Sequence, residues 1–206
     1  MIAIVDYGAG NLRSVQRACS AVKLECELTG DPDAVARADR IIFPGVGAAA
    51  SAMETLSRTG LDQALCQAFH SGVPIFGICL GAQIGLDRSE EGDTRCLGLI
   101  PGTTRRLRPK DASLKIPHMG WNEVRVERPH PLLEGVQAGD EFYFVHCFFP
   151  DPDDEQSTLA TSDHGTRFCC ALGWNNLFAT QFHPEKSGRL GLEMLGRFAS
   201  WEGTPC

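Results

Sequence analysis

Val73-Pro74-Ile75-Phe76-Gly77-Ile78-Cys79-Leu80-Gly81 is an apolar run that ends in a cysteine set between two glycines, and Ala82-Gln83-Ile84 behind it can start a helix. A short unbroken apolar run reads as a strand buried on both faces. Where it turns into the helix the backbone is crowded, which small residues at 77 and 81 relieve, and the side chain at the apex projects into a cleft. A thiol at that apex lies beside the free N–H groups of a helix start. These favour the thiolate and can hold the oxyanion that forms when sulfur attacks a carbonyl. Leu80 offers one such N–H. The turn predicts a nucleophile at Cys79 rather than another small buried hydrophobe.

Outward from this turn, apolar runs alternate with helical patterns. Ile2-Ala3-Ile4-Val5 reads as a buried first strand, followed by a turn at Tyr7-Gly8-Ala9-Gly10-Asn11 and a helix over residues 12–22. Ile41-Ile42-Phe43 is a second buried strand that ends in Pro44-Gly45-Val46-Gly47, with helices over 48–57 and 61–70. The pattern predicts a doubly wound α/β fold with a mainly parallel sheet, in a single domain spanning residues 1–206. In the second half, residues 123–126, 141–146, 168–172 and 177–182 read as antiparallel strands added to that sheet, with a hairpin turn across 173–176 and a last helix over 188–201. Gly8 and Gly10 fit the start of a dinucleotide fingerprint, but its third glycine falls on Arg13 and no Walker pattern occurs. A tight turn with Asn11 as the helix N-cap accounts for the same residues.

Composition narrows the function classes. A hydrophobic content of 43% with 22% charged residues is that of a globular protein with a substantial core, and a net charge of −7 argues against general nucleic-acid binding. Arg105, Arg106, Arg108 and Lys110 form a local basic cluster, read as a solvated loop face. No run approaches the roughly 20 apolar residues of a membrane span, and the opening Met1-Ile2-Ala3-Ile4-Val5-Asp6 lacks the basic region of a signal peptide. The nine cysteines contain no Cys-x-x-Cys pair, which fits a reduced, cytoplasmic protein without a bound metal or cofactor.

A thiol that cleaves an amide needs a base to take its proton and return it to the leaving amine, and the base needs an orienting carboxylate. His183-Pro184-Glu185 carries both. His183 would end the strand over residues 178–183, where open α/β sheets bind ligands, and residues two apart in extended chain point the same way. His146, which also ends an apolar run, is the competing histidine.

Taken together, Gly77-Ile78-Cys79-Leu80-Gly81-Ala82-Gln83 and Gln181-Phe182-His183-Pro184-Glu185 resemble the class I glutamine amidotransferase family, whose triad is Cys-His-Glu. The blocks Asp6-Tyr7-Gly8-Ala9-Gly10-Asn11, Pro44-Gly45-Val46-Gly47, Pro117-His118-Met119-Gly120-Trp121-Asn122 and Tyr143-Phe144-Val145-His146 extend the resemblance from near residue 2 to about residue 200. They direct it to the glutaminase subunits that serve imidazole glycerol phosphate synthases. The resemblance implies hydrolysis of glutamine to glutamate and ammonia. The ammonia would pass to a separate (β/α)₈-barrel synthase subunit of histidine biosynthesis, for which this chain has no room at about 250 residues per barrel. Glutaminase subunits of other synthases, and a catalytically silent regulatory module of the same fold, are the alternatives.

On that resemblance Cys79 forms a γ-glutamyl thioester, His183 serves as acid and base, and Glu185 orients His183. The oxyanion would be held by Leu80 and, after a peptide rearrangement, by Val46 and Gly47. Gly45, Gln83, Glu91 and the backbone at His146 and Cys147 would bind glutamine, with Glu90 as rival to Glu91. Asn11, Trp121 and Lys186 would face the barrel. Two departures stand out: Ala82 where Met is frequent, and Cys147-Phe148 in place of Ser-Tyr. The second removes two hydroxyls and sets a thiol that can be oxidised near Cys79.

Overall fold

The structure, a computed structural model, describes residues 1–8, 10–111 and 113–204. Ala9 of the glycine-rich turn and Cys206 lie outside the described residues. The first half of the chain forms β1 (Ile2–Val5), α1 (Leu12–Ala21), β2 (Cys26–Thr29), α2 (Pro32–Ala36), β3 (Arg40–Gly45), α3 (Ala49–Thr59), α4 (Leu61–His70), β4 (Ile75–Cys79), α5 (Leu80–Ile84), β5 (Leu86–Ser89) and β6 (Thr94–Arg95). The second half forms β7 (Ile100–Arg106), β8 (His118–Glu123), β9 (Arg125–Val126), β10 (Glu141–His146), β11 (Phe148–Pro152), β12 (Thr158–Asp163), β13 (Arg167–Trp174), β14 (Leu177–Thr180) and α6 (Gly188–Phe198).

Eight strands make the main sheet in the order β2-β1-β3-β4-β14-β13-β12-β9. The first five run parallel, and the last three continue antiparallel. Successive residues of the central strands supply opposite faces. Ile4, Ile42, Phe76 and Phe178 pack with α1 and α6 residues such as Val15, Met194 and Phe198. Ala3, Val5, Ile41, Phe43 and Ile75 pack with Leu56, Leu61 and Leu65 of α3 and α4. Burial on both faces is why the middles of these strands are apolar on both sides.

The expected α/β class and the antiparallel extension are both present, with corrections in detail. β14 is antiparallel to β13 but parallel to β4, so it belongs to the parallel core. Residues 141–146 do not join the main sheet; they pair with β8 as a separate two-stranded sheet, and β11-β7-β5-β6 form a third. The strand read at residues 123–126 is broken at Val124, whose side chain is fully buried while β9 crosses to the main sheet. β14 stops at Thr180, short of the expected end, and the Thr180 hydroxyl donates to the Phe182 carbonyl where the chain turns. Asn11 precedes α1 with φ 74°, and its side chain makes no cap.

The register concentrates the chemistry. Gly45 stands opposite Cys79 across β3 and β4, and Ile78 stands opposite Thr180 across β4 and β14. The ends of β1, β3, β4 and β14 therefore open side by side at the carboxyl edge of the parallel strands, where ligands bind in such sheets.

Candidate active site

Cys79 joins β4 directly to α5 at φ 55° and ψ −105°. A non-glycine residue held at positive φ stores of order 1–3 kcal/mol, which the surrounding packing must maintain. The flanking glycines show how. A Cβ at Gly81 would overlap the Phe43 carbonyl, and one at Gly77 would stand 3.0 Å from the Ala179 Cβ. The turn is thus pressed against β3 on one side and β14 on the other.

His183 is fixed by its backbone and its ring. Its N–H donates to the Tyr143 carbonyl at 2.9 Å, and its own carbonyl accepts from the Ser187 hydroxyl at 2.6 Å. The ring Nδ1–H donates to Glu185 Oε1 at 2.8 Å, with the two side chains 1% and 0% exposed. Asn11 Nδ2 donates to the same carboxylate oxygen, so the side chain expected to cap α1 instead positions Glu185. Nε2 of His183 is buried without a regular hydrogen-bond partner. Burial alone would lower the imidazole pKa. The charge of the neighbouring Cys79, then the hydrogen bond and charge of Glu185, outweigh it and raise the pKa to about 10. Cys79, His183 and Glu185 are therefore brought together in the order that acid-base chemistry at sulfur requires.

Cys79 opens into a cavity of about 300 Å³ lined also by Val46, Gly47, Leu80, Gln83, Glu91, Pro117, Val145, His146, Cys147 and Phe148. Gly45 lies instead in a narrow crevice behind it, with Asn11, Ile78, His183 and Glu185. Gln83 spends its amide nitrogen on the Phe148 carbonyl and on Gln181 Oε1, both at 2.9 Å, which leaves its own oxygen to accept from a ligand. The two adjacent glutamates separate cleanly. Glu91 lines the cavity and accepts from the Ala49 N–H at the start of α3 at 2.7 Å. Glu90 points away, bound by the Arg106 N–H and held below the usual carboxylate range by that bond and by Arg105 and Arg108.

His146 lines the cavity but is not placed as a base. Its Nδ1 meets the Phe148 carbonyl at 2.8 Å and its Nε2 meets His118 Nδ1 at 2.9 Å. Burial first, and the neighbouring histidines second, push its pKa down to about 3. Trp121 is 53% exposed on β8, and Lys186 Nζ lies 5.5 Å from the Tyr143 ring that Trp121 also approaches. These two residues share one face, whereas Asn11 belongs to the triad's support. Two residues with no sequence-based assignment also reach the site. The Tyr7 hydroxyl is buried against Gly45, with its pKa raised by burial and by Cys79, and Gln181 Nε2 lies 3.6 Å from Cys79 Sγ. A long polar side chain set just before Phe182 in a largely apolar run was the available signal for Gln181. Among the described residues no cluster of metal-ligating side chains occurs.

Comparison with known proteins gives the family. The model of the family "Glutamine amidotransferase class-I" matches residues 3–200. The chain belongs to the class I glutamine amidotransferase family. It is 48% identical over 203 residues to the "Imidazole glycerol phosphate synthase subunit HisH" of Nitratidesulfovibrio vulgaris strain DP4, covering 96% of this chain and 95% of that one. The protein of the same name from Chromobacterium violaceum is 47% identical over 209 residues, covering 98% of both chains. A solved structure described as PurLQS from Thermotoga maritima superposes with a TM-score of 0.74 over 97% of each chain, at 20% identity, and shows the shared fold alone.

Proposed function

We propose that this class I amidotransferase is the glutaminase subunit of an imidazole glycerol phosphate synthase, hydrolysing glutamine to glutamate and ammonia for histidine biosynthesis. The observation that carries the chemistry is the Cys79–His183–Glu185 constellation, with Cys79 opening into the cavity and the buried His183–Glu185 pair in the crevice behind it. Nearly full-length identity to HisH subunits carries the assignment of the synthase.

In this reading the Cys79 sulfur attacks the side-chain amide carbon of glutamine. Negative charge gathers on the amide oxygen beside the Leu80 N–H, at the start of α5. Gly47, at φ 103°, gives the adjoining segment the freedom to turn a second N–H, at Val46 or Gly47, toward that oxygen. His183 Nε2 gives its proton to the departing ammonia, then removes one from water to release glutamate. Glu185 keeps Nδ1 protonated so that Nε2 does this work. Glu91 and the free Gln83 oxygen meet the α-ammonium group, and the backbone at His146 and Cys147 meets the carboxylate.

The amidotransferase domain, taken as residues 1–206, works in the cytoplasm and hands ammonia to a (β/α)₈-barrel synthase subunit. Trp121 and Lys186 are the contact residues we assign to that partner; an exposed Trp is a frequent interface anchor. No helix among the described residues is long and apolar enough to cross a membrane. The test is glutamine-dependent ammonia release by the chain alone, with the barrel subunit, and with the barrel subunit and its ligand. Turnover is expected to rise along that series and to vanish with Cys79→Ser. Equal rates in all three mixtures, or turnover that survives the substitution, would reject the reading.

A further inference from the structure

A fully buried carboxamide touches the nucleophile and has no part in the triad. Gln181 follows β14 one position beyond the Ile78–Thr180 pair, which sets it beside Cys79. Its Nε2 lies 3.6 Å from Cys79 Sγ, and its Oε1 lies 2.9 Å from Gln83 Nε2. A third group decides which end of each carboxamide faces which neighbour. The Phe148 carbonyl can only accept, and the Gln83 amide nitrogen stands 2.9 Å from it. That nitrogen's other hydrogen is directed at Gln181, which must answer with oxygen and so turns its own nitrogen to the sulfur. The His146 ring, 2.8 Å from the same carbonyl, supplies a second donor that holds it in place. Reversing Gln83 would set its oxygen against the Phe148 and Gln181 oxygens, and reversing Gln181 would set nitrogen against nitrogen and oxygen against sulfur, leaving buried groups unsatisfied either way.

We propose that Gln181 is a catalytic residue whose carboxamide N–H donates to the Cys79 sulfur, with the Phe148 carbonyl, acting through Gln83, fixing the direction of that bond. The proposal rests on the reading of Cys79 as the glutaminase nucleophile. The bond favours the thiolate, since a full negative charge accepts an N–H more strongly than a thiol does. It also holds the sulfur from the β14 side. The same network ties the nucleophile to the cavity wall, because Gln83 and Phe148 both line the cavity.

The test compares the full chain with its Gln181→Met form, which keeps the side-chain length and removes the donor. Alkylation of Cys79 by iodoacetamide is followed across pH by the mass of the Cys79 peptide, which separates it from the other cysteines. The midpoint is expected to rise by at least about one pH unit, the size of a hydrogen bond to a charged group. An unchanged midpoint, in a variant that unfolds at the parent's temperature, overturns the proposal. Nuclear magnetic resonance of the unsubstituted chain supplies a second measurement that needs no variant. The Gln181 side-chain amide protons should shift with the Cys79 alkylation midpoint, and resonances indifferent to that titration would overturn the proposal equally. Neither readout involves glutamine. A chain that titrates as described but releases no ammonia with its partner therefore refutes the glutaminase reading and leaves the hydrogen bond standing.

Discussion

At the scale of single residues, the site works by assigning every proton a place. Glu185 Oε1 receives both the His183 Nδ1–H and the Asn11 amide, and its second oxygen is buried without a partner. The carboxylate charge is one of the causes that hold the imidazole near a pKa of 10 against its burial. Glu185→Gln keeps the shape and removes the charge. It also lets the amide present N–H to the ring, so the wrong imidazole tautomer is favoured. Glutamine turnover in the assembled enzyme is expected to fall by about 10²- to 10⁴-fold with little change in KM. Steady-state kinetics check this, and a variant within a factor of two or so of the parent would remove Glu185 from the mechanism. The pair of residues 183 and 185 was legible in the sequence as a histidine next but one to a carboxylate, but the extended chain expected there is a 3-10 turn over Pro184–Lys186, and it is this turn that brings Glu185 to the ring. Asn11 stands at the N-cap position as read, but its side chain does not cap α1, because its left-handed backbone and its reach to residue 185 exist only in the folded chain.

At the scale of elements, β8 and β10 pair so that His118 stands directly opposite His146. Their rings are hydrogen-bonded, and both are held neutral, His118 at about 4 through burial first and His164 second, His146 at about 3. His130 lies between Phe178 and Trp201, accepts the Leu132 N–H, and is lowered to about 4 by burial. All three bind a proton more weakly folded than unfolded. The stability they contribute is complete above about pH 6.5 and is lost as pH falls through their folded values. Each contributes up to about 1.4 kcal/mol per pH unit in that window. His183 has the opposite sign: its contribution is complete below about pH 6.5 and is lost as pH rises through about 10. Urea unfolding is therefore expected to show markedly lower stability at pH 5 than at pH 7, with a shallower acid limb in His130→Phe. A flat profile across that range would contradict the burial of these rings as neutral groups.

At the scale of the whole molecule, the parallel core was the legible part. β1 and β4 are apolar at every position, and β3 at every position after Arg40, because both faces are covered. β2 was not legible, since it is a short edge strand of mixed burial that carries Glu27. The side sheet of β5, β6, β7 and β11 was missed for a related reason. Ile100, Gly102 and Thr104 of β7 are buried between partly or fully exposed neighbours, and Arg105 and Arg106 obscure the strand's end. Which of Glu90 and Glu91 lines the cavity, and the contact of Gln181 with Cys79, depended on register and on loop direction, which no local pattern encodes. What the molecule achieves is to bring residues 45, 79, 181 and 183 to one edge of one sheet. The most direct measurement of that convergence is acid-quenched turnover of glutamine by the assembled complex, with peptide mass mapping of this subunit. A γ-glutamyl group carried on Cys79, absent when glutamine is omitted and absent in Cys79→Ser, is the predicted result. Glutamine turnover with the group on another residue, or with turnover undiminished in Cys79→Ser, would contradict the account.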